Sequence, residues 1–379
     1  MNRLHELFHK HGQSLWLDNI RRGMLTGGEL RGLIADGLRG MTSNPTIFEK
    51  AISSGAEYDE PIRRLLAAKK NVAQIFDALA IEDVQGAADQ FRPLYDASEG
   101  ADGFVSIEVA PQHARDTKTT LAEAHRLWKA VNRPNAMVKI PATVEGIPAI
   151  QQALTDGINI NITLIFAVDR YRDVLNAYRR ALEARAMGGL SLKVASVASF
   201  FVSRIDSAVD KILQEKIQAA TRPEEKDALL ELLGKVAVAN ARVAYQTFLD
   251  FVANPAWNEL RKLGARVQRP LWASTGTKNP HYPDLLYVDN LIGRDTVNTL
   301  PPATLEAFRD HGVVAETLTN QADEARGILE KLKTFKIDLR RVTDALEADG
   351  LKQFVESYDK LLAGLTAKKD QLHTASAKR

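Results

Sequence analysis

No cysteine occurs among the 379 residues. A disulfide framework, a zinc–thiolate site and a thiol nucleophile are thereby excluded. An excess of one charge sign is missing too: 50 Lys and Arg face 48 Asp and Glu, interspersed, for a formal charge of +2. Nucleic-acid recognition needs basic side chains gathered on one face, so nucleic acid is not an expected partner. No run approaches the ~18 uninterrupted apolar residues of a membrane span. The segment Met1–Gly12 carries three histidines and a lysine but not the apolar stretch of a secretory signal. The dinucleotide, nucleophile-elbow and zinc-protease motifs are absent, and Gly276-Thr277-Lys278 lacks the upstream glycine of a phosphate-binding loop. His5, His9 and His11 read as a helix cap or a solvated face, and no predicted strand carries a histidine. Neither a metal nor a cofactor is expected. With 45% hydrophobic and 26% charged residues, the composition is that of a soluble globular protein, expected in the cytoplasm.

What is there is an alternation. Short apolar runs read as strands at Ser14–Asp18, Gly40–Ser43, Gly103–Val109, Ala136–Pro141, Asn159–Phe166, Val194–Phe200, Pro270–Thr275 and Thr296–Leu300. Several are almost continuously apolar, as parallel strands buried on both faces are. Amphipathic stretches lie between them, among them Thr26–Leu38, Asp116–Val131, Val144–Thr155, Val168–Met187 and Ser203–Ala219. Eight such alternations predict an α/β fold, a single (β/α)₈ TIM barrel. Two connections are too long for one helix, so extra helices are expected after strands 2 and 6, over about 49–102 and 204–267. Helices are also expected at Thr304–His311, Glu324–Phe335 and Leu339–Leu365. The catalytic domain would span 1–366, and the Lys-rich tail 367–379 is expected to fray.

In such a barrel the chemistry sits where the strands end. Strand 1 ends in Asp18 and strand 2 in Thr42-Ser43-Asn44-Pro45, while strand 3 carries Glu108, strand 4 Lys139, and strand 5 Asn161 and Thr163. Ser199, Phe201 and Arg204 surround the end of strand 6, and Ser274 to Lys278 follow strand 7. Lys139 stands between Val138 and Ile140, so period-two alternation turns it away from both and into the barrel. Burial favours the neutral amine, the form that attacks a carbonyl. Spacing alone leaves two readings open: a nucleophile, or a structural ion pair with Asp18 or Glu108. A barrel has no edge, so Glu108 faces either inward or toward the helices.

Gly40-Met41-Thr42-Ser43-Asn44-Pro45-Thr46 resembles the N-terminal signature of transaldolases. Val138-Lys139-Ile140-Pro141-Ala142-Thr143-Val144-Glu145-Gly146 looks like their active-site lysine signature, and Asn159 to Phe166 follows at the family's distance. The resemblance spans Leu15 to Phe308, and the length and Trp272 to Pro280 look like the longer bacterial members. It implies transfer of a dihydroxyacetone unit from sedoheptulose 7-phosphate to glyceraldehyde 3-phosphate. The products are erythrose 4-phosphate and fructose 6-phosphate, so the partners are phosphorylated ketoses and aldoses. By the same resemblance Lys139 forms the Schiff base and Asp18 is the acid/base at the C4 hydroxyl. Glu108 acts through a water shared with Thr163, and Asn44, Asn161 and Thr42 belong to the substrate site. Ser199, Arg204 and Lys278 are the phosphate-end candidates, with Ser274 and Thr277 as additional hydroxyls. Two alternatives stand beside this reading. One is an aldolase-type lyase using the same Schiff base, against which the apolar Phe201 argues; the other is a non-enzymatic helical scaffold.

Overall fold

The computed structural model describes residues 2–377. Eight parallel strands close into one barrel in chain order: β1 (Ser14–Asp18), β2 (Gly40–Thr42), β3 (Phe104–Glu108), β4 (Ala136–Pro141), β5 (Ile160–Ile165), β6 (Ser196–Phe201), β7 (Arg269–Ala273) and β8 (Val297–Leu300). Closure removes every strand edge, so the inner face is sealed from other chains and presents only side chains.

Two apolar clusters follow from the period-two alternation of each strand. Val138, Ile140, Ile160 and Ile162 point outward and pack beneath the helices. Trp16, Phe104, Met137, Val197, Leu271 and Val297 point inward and fill the lower barrel. Burying each such side chain contributes about 1.5–3 kcal/mol. Trp16 needs space that only glycine leaves, since a Cβ at Gly40 would lie 2.5 Å from its indole. Below this plug Asp102 is held by Arg39 Nε at 2.6 Å, Arg269 Nη2 at 3.1 Å, Trp16 Nε1 at 3.2 Å and the Ser14 hydroxyl. Burial opposes its charge, yet the two guanidiniums outweigh it and hold the carboxyl below the usual range.

Extra helices follow β2 (Pro45–Ser54, Asp59–Ala67, Val72–Ala97) and β6 (Pro223–Leu230, Val236–Ala253, Pro255–Lys262 beyond Ser203–Ala219). Three expectations are corrected. Thr26–Leu38 is not one helix but two, Arg22–Thr26 and Glu29–Ala35, because Gly28 adopts the left-handed φ of +85° between them. β7 stops at Ala273 rather than Thr275, since Ser274 turns to φ +56°. The tail from Ala367 does not fray at once: one helix runs Leu339–Ala377, with Lys368 Nζ 2.8 Å from the Ile52 carbonyl and 3.0 Å from Asp59, and Leu372 buried. Residues 378 and 379 lie outside the described residues. Among the described residues no helix is long and apolar enough to cross a membrane.

Candidate active site

Climbing each strand by two residues from the apolar plug leads to a polar layer and then to the mouth. Trp16 is followed on the same face by Asp18, Phe104 by Ser106 and Glu108, Met137 by Lys139, and Val197 by Ser199 and Phe201. Strand pairing sets Glu108 beside Lys139 and Lys139 beside Asn161 at one level. The alternation that makes the strands hydrophobic outside thus delivers the charged groups inside.

Lys139 is 8% exposed, with Nζ 3.6 Å from Glu108 Oε1 and 3.5 Å from the Ser43 carbonyl. The other Glu108 oxygen, Oε2, is buried with no hydrogen-bond partner among the described residues. Burial is the main cause that pushes the Glu108 carboxyl up to about 7; Asp18 adds to it and Lys139 opposes it. The Asp18 carboxyl is also raised by burial, against the attraction of Lys139 and Lys278 and a hydrogen bond from Thr42 Oγ1 at 2.7 Å. An amine therefore sits with two carboxyl groups that burial raises above their ordinary range.

A cavity of about 670 Å³ opens above them, lined by Asp18, Asn44, Glu108, Lys139, Thr163, Phe201, Arg204 and Lys278. Asn44 caps the helix Pro45–Ser54 by accepting from the Ile47 amide at 3.0 Å, which leaves its amide nitrogen as the end that can donate to a ligand. The β5 ladder shifts register between Ile162 and Ile165, and Leu164 takes φ +59°. This bulge brings Thr163 and Leu164 both to the cavity, which strict alternation would forbid. Arg204 opens the helix Ser203–Ala219, its guanidinium carbon 5.6 Å from the Phe201 ring centre. Its buried Nη1 has no partner among the described residues. Lys278 stands on the loop after β7, which Thr277 Oγ1 ties to the Pro283 carbonyl at 2.9 Å and Tyr282 ties to Asp210 at 2.7 Å.

Three expected ligands do not line the cavity. The Thr42 hydroxyl donates to Asp18 and lies 2.7 Å from that of Thr299, so it positions the acid. Asn161, fully buried, donates to Ser106 Oγ at 3.0 Å and accepts from Ser199 Oγ at 2.7 Å. Ser199 therefore stands in the barrel interior on Asn161 rather than with Arg204. Ser274 faces Ser203 at 3.0 Å, and the Thr277 hydroxyl serves its own loop. Conversely, sequence reasoning missed Arg21, Lys50 and the C-terminal helix, whose Gly350, Gln353, Phe354 and Ser357 form a wall of the cavity. Gly350 permits the close fit, for a Cβ there would lie 3.1 Å from Leu164. Among the described residues no group of three or more His, Cys, Asp or Glu side chains is disposed to hold a metal ion.

The raised Glu108 carboxyl has a measurable consequence. Its proton is held in the folded state up to about pH 7 but lost near the ordinary value of 4.5 when unfolded. The native state binds the extra proton between those values, so stability falls by a few kcal/mol as pH rises through that window. Glu108→Gln should flatten this slope in denaturation series at several pH values. It should also remove an ionisation near pH 7 from the kcat/KM profile while lowering the rate by ~10²-fold. An unchanged profile would exclude Glu108 as the titrating group.

Over residues 15–365 the chain matches the family described as transaldolase/fructose-6-phosphate aldolase. A transaldolase of Trichodesmium erythraeum is 44% identical over 365 residues, 95% of this chain and 96% of its own length. One of Acidothermus cellulolyticus is 48% identical over 358 residues, 94% of each chain. One of Thiobacillus denitrificans is 46% identical over 93% of this chain and 96% of its own.

Proposed function

The chain belongs to the transaldolase/fructose-6-phosphate aldolase family, and from that premise we infer a transaldolase that works through a Schiff base on Lys139. The observation that carries the residue assignment is the Lys139 amine, inside the closed barrel and 3.6 Å from the Glu108 carboxyl.

Lys139 Nζ adds to the C2 carbonyl of a ketose phosphate, and the carbinolamine loses water to an iminium. Glu108 supplies and takes back the protons of that exchange, with Thr163 lining the same cavity. The Asp18 carboxylate accepts the C4 hydroxyl proton as the C3–C4 bond breaks. The electron pair of that bond moves to the iminium nitrogen, leaving an enamine and a free aldose phosphate. An incoming aldehyde reverses the sequence: C3 attacks it, Asp18 returns the proton to the new hydroxyl, and water releases the product ketose. Arg204 and Lys278 take the phosphate, the first with a guanidinium fork and the second as a point charge. With sedoheptulose 7-phosphate as donor and glyceraldehyde 3-phosphate as acceptor the products are erythrose 4-phosphate and fructose 6-phosphate, a cytoplasmic reaction of carbohydrate metabolism.

Phe201 supports transfer over lyase chemistry. Its apolar ring lies on Phe166 at 5.2 Å and brings no hydroxyl to protonate the enamine before the acceptor arrives. Turnover of fructose 6-phosphate is accordingly expected to depend on added erythrose 4-phosphate, with fructose 6-phosphate consumed at least ~10-fold more slowly in its absence. Equal rates with and without acceptor would identify a lyase.

A further inference from the structure

The barrel has a second open end, where the strands begin. There a cavity of about 800 Å³ reaches up to the underside of the apolar plug, whose Phe104, Met137 and Val197 are buried. Its rim carries five arginines, Arg39, Arg261, Arg266, Arg269 and Arg294, against three carboxylates, Glu99, Asp102 and Asp295. Arg39 and Arg269 are committed, since both hold Asp102, and Arg39 also lies on the Phe8 ring at 3.4 Å. The other three have no carboxylate within ion-pair distance among the described residues. Arg266 gives one hydrogen bond, to the Glu99 carbonyl.

Elsewhere in the chain guanidiniums such as Arg22, Arg126, Arg133 and Arg309 each engage an acid. Three unmatched cations around one hollow repel one another and leave N–H donors turned to a concave space. An oxyanion relieves both, and the planar fork of arginine matches phosphate oxygens better than a lysine would. The hollow is larger than a phosphate, so it has room for a molecule that carries one.

We propose that this mouth binds a phosphorylated small molecule, its phosphate on Arg261, Arg266 and Arg294. The plug and the Ser106–Asn161–Ser199 layer separate it from Lys139, so its ligand does not compete with the sugar phosphate.

Calorimetric titration of the full chain with adenosine 5′-monophosphate and with inorganic phosphate tests this. Both should bind saturably, and more weakly as salt is raised. Arg204→Ala should leave this affinity unchanged. The double variant Arg261→Ala/Arg294→Ala should lose about tenfold or more. Both altered residues are exposed, so the fold should persist and circular dichroism should match the parent. No saturable binding up to about 5 mM would overturn the proposal. So would loss of binding in Arg204→Ala with retention in the double variant, which would place the anion in the catalytic cavity.

Discussion

Lys139→Ala protein should fold and yet lose sugar transfer by roughly 10⁵-fold or more, a deficit of about 7 kcal/mol in transition-state stabilisation. The size follows from the role: without the amine no iminium forms, and a neutral ketone is a far poorer acceptor for the electron pair of the breaking C3–C4 bond. Stability should be little changed. The vacated site leaves Glu108 facing Asp18, and the Glu108 carboxyl, already raised to about 7 by burial, simply keeps its proton. Lys139→Met restores the lost volume and should behave alike. Borohydride added with fructose 6-phosphate should fix a dihydroxyacetone adduct on Lys139 of the parent and none on either variant. Trapping on another lysine would refute the assignment. Wholesale unfolding of both variants would instead identify Lys139 as a structural partner of Glu108.

Asp18→Asn should separate two steps that Lys139→Ala removes together. Asparagine still accepts the Thr42 hydrogen bond but cannot take the C4 hydroxyl proton, so cleavage and addition should slow by ~10²–10⁴-fold. Iminium formation does not need Asp18, so borohydride should still trap the intact ketose on Lys139. The mass of the adduct decides the matter. An adduct carrying the whole donor is expected, whereas a three-carbon adduct at the parent rate would show that another base breaks the bond.

Much of this was legible locally. Val138-Lys139-Ile140 states its own geometry, because a strand has a period of two and apolar flanks must face the helices. β1 and β4 were read to the residue, since their bounds are set by apolar runs between polar turns. Thr42, Asn161 and Ser199 were only half legible, for a related reason. Their place at strand ends is visible, but whether a hydroxyl points to a ligand or to a neighbouring amide depends on strands distant in sequence.

By itself the sequence determined the eight strands, the inward turn of Lys139 and, through its signatures, the family. These rest on interactions within a few residues or on alternation along one strand. Only the tertiary structure decided that Leu164 breaks register toward the cavity, that the helix Leu339–Ala377 walls the active site through Gly350, and that three arginines with no ion pair among the described residues gather at the opposite mouth. Each of those outcomes joins residues far apart in the chain, and packing between such segments leaves no periodic trace in either of them.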